Sequence, residues 1–260
     1  WIEPHSMLIS GANELVAWPT FQVQERLDAG IAPTTSIDED EGHIHPILCT
    51  HFAAESSFIF SIDVTRCICW SMQRFVPLWS FRWNKLDGTI TCTDLEAGEL
   101  KFLVGTDAGA VVWVNAASGT ITNQLHHKLK GGEISCVAHF ENVTPTTSCT
   151  FAACGLELVM WFEEARLSVP QEAPSMATRM AKECGSIIAL GRSGLDGSVC
   201  MVGCANGAIA AVNTLTMSTL FTIAAPSSDI SVESLHSFQV GSFAAAYSNS
   251  NMRFYGFVRE

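Results

Sequence analysis

Positive charge is what this sequence has least of. Its 14 Lys and Arg are scattered over 260 residues against 26 Asp and Glu, for a formal charge of −12. Proteins that hold nucleic acid neutralise several phosphates with clustered cations, so nucleic acid is not expected as the main partner, and neither is an anionic membrane surface. Charge of either sign is sparse at 15%, whereas 48% of the residues are hydrophobic. Such a composition buries a large core and excludes a disordered chain. No apolar run reaches the ~18 residues of a membrane-spanning helix, so no span is expected. No secretory signal is visible, and the first residue is Trp1 rather than Met. The expectation is that further residues, with any targeting signal, precede it. At ~150 residues per domain the length allows one large domain or two small ones.

Most of the chain also lacks helix-length periodic segments. In their place stand short apolar runs that repeat. Val104-Gly105-Thr106-Asp107-Ala108-Gly109-Ala110-Val111-Val112-Trp113-Val114-Asn115 is echoed by Val202-Gly203-Cys204-Ala205-Asn206-Gly207-Ala208-Ile209-Ala210-Ala211-Val212-Asn213, an offset of 98 residues or two units of 49. An aromatic or small residue marks the middle of an apolar run at Trp18, Trp70, Trp113, Trp161, Ala211 and Tyr255, at intervals of 52, 43, 48, 50 and 44. A second landmark, the start of a short run at Ile47, Ile90, Ile134, Ile187 and Val232, keeps step at 43, 44, 53 and 45. Two landmarks sharing a ~45-residue period define repeats. Each unit reads as four strands rich in Val, Ile, Phe, Trp and Thr, separated by Gly, Asn, Asp and Ser. Asp107-Ala108-Gly109, Ala205-Asn206-Gly207 and Asn249-Ser250-Asn251 read as tight turns, where Gly or Asn tolerates φ > 0.

Four strands per unit of this length fits the blades of a β-propeller, and the residues carry a family pattern. Gly42-His43 precedes the first strand of a unit, followed by Ser61-Ile62-Asp63 and then Trp70. This resembles the His, Ser, Asp and Trp set by which WD-repeat propellers tie one blade together with hydrogen bonds. Asp107 with Trp113 repeats the Asp-to-Trp spacing in the next unit. The resemblance spans nearly the whole chain but is degenerate. Ser71, Val114 and Phe162 stand where an acid usually follows the Trp, and Gly131-Gly132-Glu133 replaces Gly-His before Ile134. It implies an all-β fold, a WD-repeat-like β-propeller with about six blades represented, cut from a seven-bladed or six-bladed ring. Seven is favoured as the family's usual count.

Strand counting places the whole of residues 1–260 in a single propeller domain that starts in mid-blade. With strands named a to d from the axis outward, 6–27 supplies b, c and d of a first, partial blade. Complete blades are expected at about 47–82, 90–127, 134–169 and 187–224, and 232–258 supplies only a, b and c. Ending one strand short is the pattern of propellers that close by borrowing an outer strand from their N-terminal end. Two connections are long, 28–46 and 170–185. In the second, Ser175 as a cap and Gly185 as a stop predict a short helix over 175–184. Both join strand d of one blade to strand a of the next, so both are expected on one face, the face where many WD-repeat proteins hold partners.

Chemistry finds little support. Cys67-x-Cys69 and His43-x-His45 place like residues on one face of an extended strand, but zinc sites usually need two such pairs at wider spacing. Cys149-x4-Cys154 and Cys200-x3-Cys204 lie in stiff strand segments, so no metal and no cofactor is expected. The ten cysteines mostly sit in apolar runs, as buried thiols do, which points to a reducing compartment, cytoplasm or nucleus. Gly191-Arg192-Ser193-Gly194-Leu195-Asp196-Gly197 is not followed by a helix, as phosphate loops require, and reads as a hairpin. No strand-turn-helix nucleophile elbow is visible, so no catalytic residue is expected, although propeller enzymes exist. Asn142-Val143-Thr144 is the one glycosylation sequon.

Two segments are candidates for partner binding. The run Asp38-Glu39-Asp40-Glu41 is either a solvated loop or a docking element for a basic segment of another protein. In Trp79-Ser80-Phe81-Arg82-Trp83, two Trp and an Arg gather where a blade ends, a trio enriched at binding hot spots. The alternative is that Trp79 and Phe81 pack between blades while Trp83 caps the turn. The function expected is a non-catalytic scaffold or adaptor that holds other proteins in a larger assembly. The alternatives are a reader of a peptide or modified side chain at the axial channel, with Trp83 or the 28–46 loop contributing, and a propeller hydrolase or lyase. An aromatic cage at the channel favours the reader, and a lateral apolar patch favours the scaffold.

Overall fold

The computed structural model describes residues 7–11, 15–19, 42–53, 55–73, 76–83, 88–96, 98, 101–125, 132–144, 147–164, 174–192, 198–227, 229–237 and 242–256. The chain divides into two units, Trp1–Lys85 and Leu86–Glu260. In the first, β1 (Met7–Gly11) and β2 (Leu15–Pro19) pair as an antiparallel two-stranded sheet. A second sheet runs in chain order through β3 (Cys49–Ala53), β4 (Phe58–Ile62), β5 (Arg66–Ser71) and β6 (Pro77–Arg82), each antiparallel to the last. Every residue of β5 is buried, whereas β6 alternates, with Leu78, Ser80 and Arg82 turned to solvent. A strand covered on both faces reads as a continuous apolar run, and one covered on one face alternates.

The second unit holds four sheets built by the same meander. They are β7 (Ile90–Leu95), β8 (Lys101–Thr106), β9 (Val111–Asn115) and β10 (Ile121–Leu125); β11 (Cys136–Thr144), β12 (Thr147–Cys154), β13 (Glu157–Glu164) and β14 (Met176–Arg179); β15 (Ile187–Arg192), β16 (Val199–Cys204), β17 (Ile209–Asn213) and β18 (Thr219–Ile223); and β19 (Val232–Ser237), β20 (Ser242–Tyr247) and β21 (Met252–Gly256). Successive sheets stack with their first strands side by side, β7 against β11, β11 against β15 and β15 against β19. Alternation along β11 shows why both faces must be apolar. Val137 packs with Trp113, Val159 and Trp161 toward the sheet before it, while Ala138 and Phe140 pack with Val202, Ala210 and Val212 of the sheet after it. The next interface joins Met201, Ile209 and Ala211 to Val232, Phe243 and Ala245. Each large apolar side chain buried this way contributes roughly 1.5–3 kcal/mol.

The repeated glycine has a steric cause. A Cβ on Gly105 would lie 2.6 Å from Cys92 Sγ and 2.7 Å from Ile134 Cγ2, and one on Gly203 would lie 2.6 Å from Val232 Cγ1. Ile134, just ahead of β11, and Val232, at the start of β19, press on the second strand of the preceding sheet at the same place in both repeats, so only glycine fits.

The segment 170–185 departs from the expected helix. Met176–Arg179 is a strand, paired with β13 so that Met160 faces Met176 and Glu157 faces Arg179, and it closes its sheet as the outer strand expected before residue 170. Only a 3-10 turn, Lys182–Cys184, precedes Gly185, whose φ is 68°. The physical reason is a period-two pattern: Met176 and Thr178 are half-buried, Ala177 and Arg179 exposed. Docking against β13 overrides the weak strand propensity of Met-Ala-Thr-Arg. Among the described residues no helix is long and apolar enough to cross a membrane.

Candidate functional site

In the first unit, His43, just before β3, stands at the centre of a buried chain of hydrogen bonds. Its Nδ1 lies 2.9 Å from Asp63 Oδ2 and its Nε2 2.6 Å from Ser61 Oγ, while the Trp70 indole N–H donates to the same Ser61 Oγ at 2.7 Å. Asp63 Oδ1 also accepts from the backbone N–H groups of Thr65 and Arg66 at 2.6 and 2.7 Å. Burial pushes the Asp63 carboxyl up, but the His43 contact and the Thr65 donors outweigh it and hold the group at about 2. The order Ser, His, Asp is that of a hydrolytic triad, yet Ser61 and Asp63 have no exposed surface and the serine oxygen is capped by Trp70. No substrate reaches it, and the constellation ties the loop before β3 to β4 and β5.

The next sheet reduces this scheme. Asp107 accepts from the Thr89 backbone N–H and the Thr89 hydroxyl, each at 2.7 Å, and these bonds hold its carboxyl below the ordinary range. Thr89 follows Gly88 as His43 follows Gly42. Trp113 takes no part: its ring meets His139 edge-on at 5.0 Å and carries the Lys101 ammonium over one face at 4.1 Å. Asp107 and Trp113 therefore share no hydrogen-bond chain of the kind that joins Asp63, His43, Ser61 and Trp70.

The candidate partner-binding residues fare unevenly. Asp38, Glu39, Asp40 and Glu41 lie outside the described residues. Trp83 is corrected: it is buried, with Phe81 against it edge-on at 5.8 Å, and offers no contact surface. Trp79 is half-buried with its ring 6.0 Å from Phe60, beside a hollow of about 200 Å³ lined by Arg66, Pro77, Leu78 and Ser80. Arg82 is exposed. Alternation along β6 separates the trio that adjacency in sequence suggested. Cys67 and Cys69 are buried thiols; burial pushes Cys69 up to about 12 and Cys67 well above its ordinary value, so neither is a ready thiolate. His43 is committed to Asp63 and Ser61.

Two surfaces in the second unit stand out instead. Where the first strands of the four sheets end, a cleft of about 320 Å³ is lined by Asp94, Phe140, Leu190, Arg192, Leu235 and His236, among others. Asp94 Oδ2 accepts from the His139 backbone N–H at 2.7 Å, and Arg192 donates to the His139 carbonyl while its guanidinium lies 5.5 Å from the Phe140 ring. Burial pushes the Asp94 carboxyl up, against the pull of that N–H and of Arg192. Among the described lining residues Phe140 is the one Phe, Tyr or Trp, and it is itself fully buried, so these residues form no aromatic cage. The second surface is lateral. The outer strand β18 exposes Leu220 (51%) and Phe221 (37%). A signal for β18 was present in the sequence: residues 197–228 carry no charged side chain, so this sheet edge lacks the charges that usually guard one. A signal for the cleft was also present, in Asp94, Arg192 and His236 near the C-terminal ends of the first strands of their units.

No protein-family model and no curated protein matches the chain. Solved structures do. The WD40 repeats of RRP9 align with 96% of this chain and 73% of theirs, with a TM-score of 0.68 at 15% identity. BBS1N, solved in complex with ARL6DN, covers 96% of this chain over 72% of its own, with a TM-score of 0.66 at 14% identity. A chain of the Mitotic Checkpoint Complex covers 97% over 71% of its own, with a TM-score of 0.68 at 12% identity. Identities this low carry the fold and nothing finer. The chain is all-β and has the fold of a WD-repeat β-propeller.

Proposed function

We propose that this propeller is a non-catalytic scaffold, a subunit that holds other proteins in a larger intracellular assembly through the exposed outer strands of its blades. The observation that carries the reading is the lateral surface: β18 is exposed along Thr219–Thr222, with Leu220 and Phe221 outward and no charged residue in the stretch 197–228 that holds it. Contiguous exposed apolar side chains on a folded protein mark interaction surfaces, and an unguarded strand edge is suited to pairing with an extended segment. The formal charge of −12 favours partners with basic segments. Two of the similar folds, BBS1N with ARL6DN and the Mitotic Checkpoint Complex, were solved as complexes with other proteins, which is consistent with the reading. The sealed Ser61 argues against catalysis at the triad-like set of Ser61, His43 and Asp63.

A second reading, capture of a short peptide at the axial end of the first strands, is favoured by the cleft between Asp94 and Arg192. One experiment separates the two. A photo-crosslinking amino acid is placed at Leu220 or at His236 in cells, and adducts are identified by mass spectrometry. The scaffold reading expects discrete protein adducts from 220 that Phe221→Asp abolishes. Adducts from 236 alone move the function to the cleft. A monodisperse monomer with no adducts from any position overturns both.

A further inference from the structure

Between the first two sheets of the second unit, three side chains far apart in sequence converge. Glu96 follows β7, while His139 and Glu141 lie two apart on β11 and so share one face of it. One nitrogen of His139 and one oxygen from each carboxylate all lie within 4.8 Å of one another. We propose that Glu96, His139 and Glu141 form a binding site for a divalent transition-metal ion that clips these two blades together.

The histidine is held as a ligand rather than as a solvated base. It is 1% exposed, its Nδ1 lies 3.3 Å from Thr150 Oγ1, and the Trp113 ring meets it edge-on. In the tautomer that donates Nδ1–H to Thr150, Nε2 carries the lone pair on the side of Glu96, the outer-shell arrangement that suits a metal-binding imidazole. Nε2 and Glu96 Oε1 are 3.9 Å apart, too long for a hydrogen bond. Ligand bonds of about 2.0–2.2 Å bring two donors to roughly 3.3 Å, so small rotations of the glutamates complete the site. Glu141 Oε1 is held by the Gly98 backbone N–H at 3.2 Å. One imidazole and two carboxylates, with no thiolate, suit Zn²⁺, Co²⁺ or Mn²⁺.

Charge gives the ion a reason to bind and a competitor. Lys101 Nζ lies 3.6 Å from Glu96 Oε1 and neutralises one of the two carboxylates, leaving one excess negative charge. The same ammonium lies 4.1 Å over Trp113, a cation–π position it keeps when a metal takes its place beside Glu96.

Cobalt(II) is the probe, because its visible spectrum reports the ligand type. The chelator-treated chain is titrated with Co²⁺ near neutral pH, following absorbance and melting temperature. Expected are saturation at one equivalent, a spectrum free of thiolate charge transfer, and a higher melting temperature with metal. Glu96→Gln and Glu141→Gln, which leave the buried histidine in place, weaken binding at least tenfold, and Lys101→Met strengthens it by about tenfold. Titration without saturation overturns the site, as does a thiolate band or an affinity unchanged in both glutamine variants. In the first case Lys101 alone is the cation of this cluster.

Discussion

The Ser135 hydroxyl donates to the Ile187 carbonyl at 2.6 Å, crossing from the residue just before β11 to the start of β15 in the next blade. One repeat earlier, Thr91 makes the same bond to Ile134 at 2.5 Å. Both hydroxyls also lie near a carbonyl of their own sheet, Ala153 at 3.2 Å and Gly105 at 3.1 Å, so each sits at the seam between blades. A part-buried hydrogen bond of this kind contributes about 1 kcal/mol, and leaving its acceptor unpaired costs about as much again. Thr91→Val and Ser135→Ala are each expected to lower stability by about 1–2 kcal/mol. In urea unfolding the midpoint falls while the slope stays unchanged, because the surface exposed on unfolding is the same.

Close approach at the same seam makes a second expectation quantitative. Gly105→Ala and Gly203→Ala drive a methyl to within 2.6–2.7 Å of Cys92, Ile134 or Val232. Overpacking of that size costs about 1–3 kcal/mol. Gly256→Ala, in a strand where nothing lies within 4 Å of the added carbon, is the control and changes stability by less than about 0.5 kcal/mol. Thermal melts of the three variants check the contrast; equal losses would remove the steric account of the repeated glycine.

The fold class was legible because a blade's middle strands are buried on both faces and leave apolar runs at a fixed period: Phe102–Val104, Val111–Val114 and Ile209–Val212 are all buried. The chemistry of the His43 chain was legible too, since the spacing from Gly42 to Trp70 carries it. What the sequence hid depends on direction and distance. Trp83 looks like a hot spot beside Arg82 until alternation turns it inward. Met176–Arg179 looks helical until β13 is there to pair with it. Glu96 and His139 meet only because β7 and β11 stack, and no local pattern announces that.

Acid should act in two separable windows. Burial pulls His51 from 6.5 to about 4. The unfolded chain therefore binds a proton between those values that the folded chain refuses, and stability falls as the pH drops from about 6.5 to 4. Asp63 is held at about 2 against 3.8. Its contribution is complete above 3.8 and is lost as the pH falls from there to 2. Melting temperature against pH is expected to decline through both ranges. His51→Gln flattens the upper decline alone, and Asp63→Asn removes the lower one at the cost of a less stable protein near neutral pH. A His51→Gln profile parallel to that of the wild type would count against burial as the cause.

Two equivalent turns, one repeat pair apart, set strain against packing. Asn115 Oδ1 accepts from the backbone N–H groups of Ala117 and Ser118, and Asn213 Oδ1 does the same for Leu215 and Thr216. Each turn then needs a residue with positive φ, which is Gly119 at 69° in one and Met217 at 54° in the other. A left-handed methionine costs about 1–2 kcal/mol, but its side chain is 3% exposed and packs in the core between two blades. Deleting a buried side chain of that size costs about 2–5 kcal/mol, so packing wins. Met217→Gly is expected to destabilise by about 1–3 kcal/mol despite relieving the backbone. Gly119→Ala, which adds the same left-handed strain with only a methyl group to offset it, costs about 1 kcal/mol. Chemical denaturation of both variants decides between the two terms: a stabilised Met217→Gly would mean that strain, not burial, dominates this turn.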